Sequence, residues 1–120
     1  MTNQIYFNSR DQLLRLDIAQ TVYFEADGNI THIITANKMR GTVGMNLGKM
    51  EEYLAAQFEC TRSPFIRIGK KYIINMDFIY LIHVAHQRLL LSDCHSFAFQ
   101  LEVSKEALRK VKELLVESKR

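Results

Sequence analysis

Five side chains of the kinds that bind metal ions or act as nucleophiles occur along the chain: Cys60, His83, His86, Cys94 and His95. Imidazole and thiolate groups are ligands that zinc prefers. His83 and His86, however, lie three residues apart in a stretch typical of a strand, where that offset points side chains to opposite faces. Cys94 and His95 are adjacent within a turn, and nothing in the sequence brings a histidine to Cys60. We therefore expect no metal site, no cofactor, no catalytic residue and no enzyme activity, and we interpret the two cysteines as partly buried thiols.

Positively charged side chains gather around a turn that separates two apolar stretches. These side chains are Arg67, Lys70 and Lys71. Lysines that rigid strands hold at a turn are well placed to contact phosphates. Lys105 lies at the predicted start of a helix, where exposed backbone N–H groups also favour phosphate. The pattern indicates binding of an anion, and a purely solubilising role for the turn lysines is the alternative.

The charge of the chain is unevenly distributed. Residues 1–60 contain five Lys and Arg against seven Asp and Glu, whereas residues 61–120 contain eleven against six. Such asymmetry hints at a nucleic acid or an anionic membrane as partner, and clustered charge on a solvated surface is the alternative. With 48% hydrophobic and 24% charged residues, the composition favours a globular domain with a full core.

The sequence carries no sign of a membrane or secretory segment. No apolar run approaches the roughly 18 residues of a membrane span. Residues 1–4 lack the basic and apolar regions of a signal peptide. Two cysteines in a domain with a full core do not indicate a disulfide scaffold. We therefore expect a cytoplasmic protein with reduced cysteines and no membrane contact.

The elements that must position the charged turn are mostly short strands. Runs rich in β-branched and aromatic residues predict strands within residues 13–16, 21–25, 30–35, 39–45, 65–68, 72–74, 78–84, 88–91 and 97–101. Between the second and the third of these runs, Asp27, Gly28 and Asn29 form a strong hairpin signal.

Two helices accompany the strands. Asn46 is predicted to cap the first helix, whose apolar face is Leu47, Met50, Leu54 and Phe58 and which ends near Cys60. Ser104 is predicted to cap the second helix, whose apolar stripe is Ala107, Leu108, Val111, Leu114 and Leu115. Because strands and helices do not alternate regularly, the order argues against a parallel doubly wound fold. It favours a mainly β, antiparallel domain with one internal helix and one C-terminal helix.

From Phe65 onward the sequence resembles a known family. The segment reads Phe65-Ile66-Arg67-Ile68-Gly69-Lys70-Lys71-Tyr72-Ile73-Ile74-Asn75-Met76-Asp77-Phe78-Ile79. It is similar to the signature of the bacterial LytTR transcription regulators, in which Phe, any residue and Arg precede a basic or polar turn, Tyr, two aliphatic residues and Asn. Residues 17–25, 47–58 and 97–107 resemble the family's early, helical and closing segments. The similarity covers about residues 13–115.

The resemblance implies a β-sandwich-like LytTR domain that binds double-stranded promoter DNA through loops in successive major grooves. By position, it implies DNA contacts from Asn29, Thr31, Arg67, Lys70, Lys71, Ser104 and Lys105. A lysine can bind guanine or a phosphate, and an asparagine can pair with adenine. The implied function is that of a sequence-specific transcription regulator.

The resemblance also bears on the organisation of the protein and its partners. We expect one domain over residues 1–120, without the receiver domain that is usual in the family and without a small-molecule substrate. Family members commonly occupy paired repeats, which implies that two copies can assemble on DNA. The alternative is a protein-interaction or sensory module that keeps this scaffold and has lost DNA binding; the acidic first half and the long last helix motivate it.

Overall fold

The structure, a computed structural model, describes residues 3–58 and 62–118. Within these residues the strands are β1 (Gln4–Asn8), β2 (Leu13–Asp17), β3 (Thr21–Asp27), β4 (Ile30–Thr35), β5 (Arg40–Val43), β6 (Phe65–Ile68), β7 (Tyr72–Asn75), β8 (Ile79–His83), β9 (Arg88–Ser92) and β10 (Ala98–Glu102). The helices are α1 (Leu47–Gln57) and α2 (Lys105–Ser118). No helix in the described part of the chain is both long and apolar enough to cross a membrane.

The strands form three antiparallel sheets. The central sheet has the order β5-β4-β3-β7-β6, a second sheet has the order β10-β9-β8, and β1 pairs with β2. The predicted mainly β, antiparallel fold with one internal and one C-terminal helix is confirmed. Strand β1 was not predicted, although Ile5, Tyr6 and Phe7 are all residues that favour strands.

The central sheet is covered on both faces. Phe24, Ile33 and Ile73 belong to a core shared with α1 and the β1–β2 hairpin. Their chain neighbours, among them Ile34 and Ile74, belong to a second core shared with α2 and the β8–β10 sheet. Successive side chains of a strand point to opposite faces, so nearly continuous apolar runs fill both cores. The result is a layered scaffold in which the central sheet lies between two cores.

Both helices begin where their capping residues predict. The side chain of Asn46 accepts a hydrogen bond from the backbone N–H of Lys49 at 2.9 Å. The hydroxyl of Ser104 accepts one from the N–H of Ala107 at 3.3 Å. Helix α1 ends at Gln57, and the predicted end near Cys60 lies outside the described residues.

Three predictions about individual side chains are wrong. The apolar stripe of α2 includes Leu114 by its spacing, but Leu114 is 41% exposed, whereas the next residue, Leu115, packs against the second core. Cys94 was expected to be partly buried and is exposed at a turn. His83 and His86 do not point apart: their rings stack with centroids 4.1 Å apart. Strand β8 ends at His83 and the chain then reverses, so the alternation of a strand does not apply to His86.

Candidate nucleic-acid interface

Two turns of the central sheet lie side by side at one end of the sheet. Strand β3 pairs with β7 so that Glu25 lies opposite Tyr72, and the N–H of Ala26 donates to the carbonyl of Lys71 at 2.8 Å. The β3–β4 turn at residues 28–29 is therefore adjacent to the β6–β7 turn at residues 69–71. Strand β5 ends beside them, because Val43 lies opposite Thr31.

The connection between β10 and α2 lies at the same end. A Cβ atom built on Gly69 would lie 3.9 Å from the Cβ of Ala107, in the first turns of α2. Residues of the β6–β7 turn and of α2 together line an open groove of about 840 Å³. We call the β3–β4 turn (residues 28–29), the β6–β7 turn (residues 69–71) and the β10–α2 connection with the first residue of α2 (residues 103–105) the loop edge.

The β6–β7 turn presents two lysines in different environments. Gly69 has a φ of 65°, a conformation that glycine adopts without steric cost. Lys70 is exposed, and its ammonium group forms no ion pair with any residue in ranges 3–58 and 62–118. The Nζ of Lys71 lies 3.7 Å from a carboxylate oxygen of Glu25 and 5.6 Å from the centre of the Tyr72 ring. Lys70 therefore offers the more available positive charge.

Arg67 points inward and supports this turn from behind. Its Nη1 lies 3.2 Å from a carboxylate oxygen of Glu51 in α1, and its Nη2 donates to the carbonyl of Lys70 at 3.2 Å. The side chain is only 29% exposed. The geometry makes Arg67 a positioning residue that joins α1 to the backbone of the turn.

The β3–β4 turn has a different chemistry. Gly28 has a φ of 61°, and the neighbouring Asn29 is exposed. His32 supports the turn, because its Nε2 lies 2.8 Å from a carboxylate oxygen of Asp27 and its Nδ1 lies 3.0 Å from the hydroxyl of Thr42. The described side chains of this turn therefore supply an amide and a carboxylate rather than a cation.

Thr31 does not fit the role of a DNA contact. The residue is fully buried, and its hydroxyl donates to the carbonyl of Met45 at 2.8 Å. It lies one residue inside β4, facing the connection between β5 and α1. The hydrogen bond fixes that connection, which explains a polar residue at a buried position.

The β10–α2 connection combines a helix start with a lysine. Ser104 and Lys105 are both exposed, and Lys105 forms no ion pair within the described ranges. Helix starts attract anions because their first N–H groups lack partners within the helix. One turn further on, Lys110 lines the groove and lies 3.6 Å from Glu106. Sequence reasoning missed Lys110 as a site residue because only the position of the β6–β7 turn shows which side of α2 borders the groove.

The predicted residues thus divide into three groups. Asn29, Lys70, Lys71, Ser104 and Lys105 are exposed at the loop edge. Arg67 lies behind the edge, and Thr31 is buried beneath it. The exposed group contains two cations without an ion pair in the described part of the chain. Exposed lysine and asparagine side chains can contact phosphates and base edges. Their grouping on neighbouring turns is typical of a domain that binds nucleic acid.

Comparisons with known proteins identify the class of domain. The sequence profile of the LytTr DNA-binding domain family matches residues 11–116. The chain belongs to this family, and DNA binding is its general function. Among solved structures, it is similar to a domain described as the LytTr DNA-binding domain of a methyl-accepting/DNA response regulator from Bacillus cereus. That match has 22% sequence identity and a TM-score of 0.64, and it covers 96% of this chain and 98% of the other. No curated protein matches the chain.

Proposed function

We propose that this protein is a sequence-specific transcription regulator that lays its loop edge along promoter DNA and inserts turns into successive major grooves. The observation that supports this proposal is the convergence of three distant chain segments, around residues 29, 70 and 105, at one edge. Their exposed side chains are an amide and two lysines without ion pairs among the described residues.

Each exposed side chain has a distinct proposed role. Lys70 and Lys105 contact guanine edges or phosphates, since both ammonium groups are available. Asn29 pairs with adenine through its amide. Lys71 adds a weaker electrostatic contribution, because Glu25 lies 3.7 Å from it. Ser104 keeps its hydroxyl for the start of α2 and presents that helix start to the DNA backbone.

A selection from random duplexes tests the proposal directly. Wild-type protein is incubated with a duplex library, and the bound sequences are amplified and read. We expect one enriched motif, and an affinity for it that falls steeply with salt because each phosphate contact releases condensed cations. Absence of enrichment at low salt, together with a stable protein partner in a pull-down, would support the interaction-module alternative instead.

We also propose that two copies bind to paired repeats. The selected motif then contains two half-sites at a fixed spacing. Sedimentation of the protein with a duplex of one or two half-sites measures the stoichiometry. Binding of one copy per duplex at every spacing would contradict this part of the proposal.

A further inference from the structure

The turn between β8 and β9 lies directly beside the loop edge. The carbonyl of Gln87, in this turn, accepts a hydrogen bond from the N–H of Val103 at 3.0 Å. Val103 immediately precedes Ser104 and Lys105. The β8–β9 turn at residues 84–87 is therefore adjacent to the β10–α2 connection, which is one of the three segments of the loop edge.

The side chains of the β8–β9 turn have an ordered arrangement. The rings of His83 and His86 are nearly parallel, at 9°, with centroids 4.1 Å apart. The backbone N–H of His86 donates to Nδ1 of His83 at 3.2 Å. An Nδ1 that accepts a hydrogen bond carries no proton, so His83 bears its proton on Nε2 and can donate from there.

The exposed side chains of this turn and of the first residue of β9 include a cation and no carboxylate. His86, Gln87 and Arg88 are all exposed. The guanidinium of Arg88 makes no ion pair with any residue that the structure describes. Glu102, on the neighbouring strand β10, is the acidic residue opposite Arg88 in the register. The turn therefore offers an arginine and imidazole donors, which are groups that bind phosphate.

The β9–β10 turn at the other end of the same sheet provides an internal contrast. Strand β9 spans five residues, which separates the two turns by about 16 Å. In the β9–β10 turn, the carboxylate of Asp93 accepts hydrogen bonds from the backbone N–H groups of His95, Ser96 and Phe97. The hydroxyl of Ser96 and these N–H groups hold the pKa of Asp93 far below its usual range. The turn that points away from the loop edge is thus closed around its own carboxylate, whereas the turn beside the loop edge leaves its donors free for an anion.

We propose that the β8–β9 turn is a further contact with the DNA backbone, in which Arg88, His86 and Nε2–H of His83 donate to phosphates that flank the bases facing Lys105. This inference rests on the proposed function, because it extends the same interface by one turn. The contact increases affinity without reading sequence, since phosphates are the same at every base pair.

The test measures the DNA affinity of single-residue variants and of wild type on duplexes of different length. Arg88→Ala is expected to weaken binding to the selected site in a long duplex by about threefold to tenfold and to make the salt dependence less steep, because a cation is lost. His86→Ala is expected to weaken binding through the loss of one hydrogen-bond donor to a phosphate. The enriched motif is expected to stay unchanged. His95→Ala, which removes an exposed histidine from the β9–β10 turn, serves as the matched control and should leave affinity unchanged. Arg88→Lys should restore most of the salt dependence, because a phosphate contact requires the charge.

Shortening the duplex from each end in turn locates the contact. Removing the flank that the turn touches should weaken wild-type binding by at least the factor that Arg88→Ala does, and it should weaken the Arg88→Ala variant by a smaller factor than wild type. Equal affinity of wild type and Arg88→Ala for the long duplex would overturn this inference. Failure of wild type to bind any duplex would instead overturn the proposed function, so the two failures are distinguishable.

Discussion

The β3–β4 turn and the β6–β7 turn of the central sheet have a similar backbone conformation but carry different side chains. Gly28 and Gly69 have nearly the same positive φ, 61° and 65°. The β6–β7 turn follows its glycine with two lysines, and Arg67 joins its backbone to α1. The β3–β4 turn follows its glycine with Asn29, and His32 joins its Asp27 to β5. The β6–β7 turn is thus supported by a contact with α1, outside the sheet, whereas the β3–β4 turn is supported by a contact with the neighbouring strand β5.

The difference in side chains indicates that the two turns contribute differently to DNA binding. Positive charge acts on phosphates at long range and independently of sequence, whereas an amide must meet a base edge in one orientation. We therefore assign affinity mainly to the β6–β7 turn and discrimination between bases mainly to the β3–β4 turn. Variants that remove one side chain at a time from each turn test this assignment.

Lys70→Ala is expected to have the largest effect on DNA affinity. Loss of a base or phosphate contact of this kind weakens binding by about 1–3 kcal/mol, and a lost phosphate contact lowers the slope of log affinity against log salt by about 1. Fluorescence anisotropy over a series of salt concentrations measures both quantities. The thermal unfolding midpoint should not change, since the side chain is exposed.

Lys38→Ala is the matched control for this prediction. Lys38 is also an exposed lysine, but it follows β4 at the opposite end of the sheet. It already has a φ of 68°, so replacing one side chain by another with a Cβ adds no backbone strain. Equal losses of affinity in the two variants would mean that only net charge matters, and the assignment of the β6–β7 turn would be wrong.

Asn29→Ala is expected to act on discrimination. Losing a bidentate contact with adenine removes about 1–3 kcal/mol of preference at one base pair. The total loss on a mixed pool of sequences should be smaller than for Lys70→Ala, and the salt dependence should not change because no charge is lost. Repeating the duplex selection with the variant measures this effect. An unchanged motif would exclude Asn29 as a base contact.

Arg67→Ala is expected to have a moderate effect through the backbone of the β6–β7 turn. The side chain loses its hydrogen bond to the Lys70 carbonyl and its ion pair with Glu51. The ion pair is partly exposed, so its contribution to stability is about 0.2–1 kcal/mol. DNA affinity should fall by less than in Lys70→Ala, because Lys70 itself remains.

Glu51→Ala separates the two contacts of Arg67. This variant removes only the ion pair and leaves Nη2 free to hold the Lys70 carbonyl, so DNA affinity should stay close to that of wild type. A loss in Glu51→Ala as large as that in Arg67→Ala would show that the link to α1, rather than the link to the turn, positions Lys70.

The sequence predicts the local parts of this interface and misses the parts that depend on distant contacts. The hairpin turns follow from glycine, β-branched residues and neighbouring strands, which all lie within a short stretch of chain. The burial of Thr31 depends on a carbonyl 14 residues away, and the inward position of Arg67 depends on Glu51, 16 residues away. The spacing of His83 and His86 predicts side chains on opposite faces of a strand. That prediction is wrong because β8 ends at His83, which the spacing cannot show. Residue identity therefore indicates which turns are candidates for the interface, while packing decides which side chains of those turns are exposed.

His32→Ala is expected to have the smallest effect on binding and to act only through the β3–β4 turn. His32 is 14% exposed on its side chain and holds both Asp27 and Thr42. Losing hydrogen bonds of this kind lowers the free energy of unfolding by about 0.5–1.5 kcal/mol each. Discrimination at the base pair assigned to Asn29 should fall by about twofold to threefold, because a change of a few tenths of a kcal/mol is enough for that ratio. Thr42→Val removes only the hydroxyl beside Nδ1 and should lower stability without changing discrimination. If His32→Ala lowers stability and leaves discrimination intact, Asp27 holds the turn without its histidine, and the two turns differ in side-chain chemistry alone.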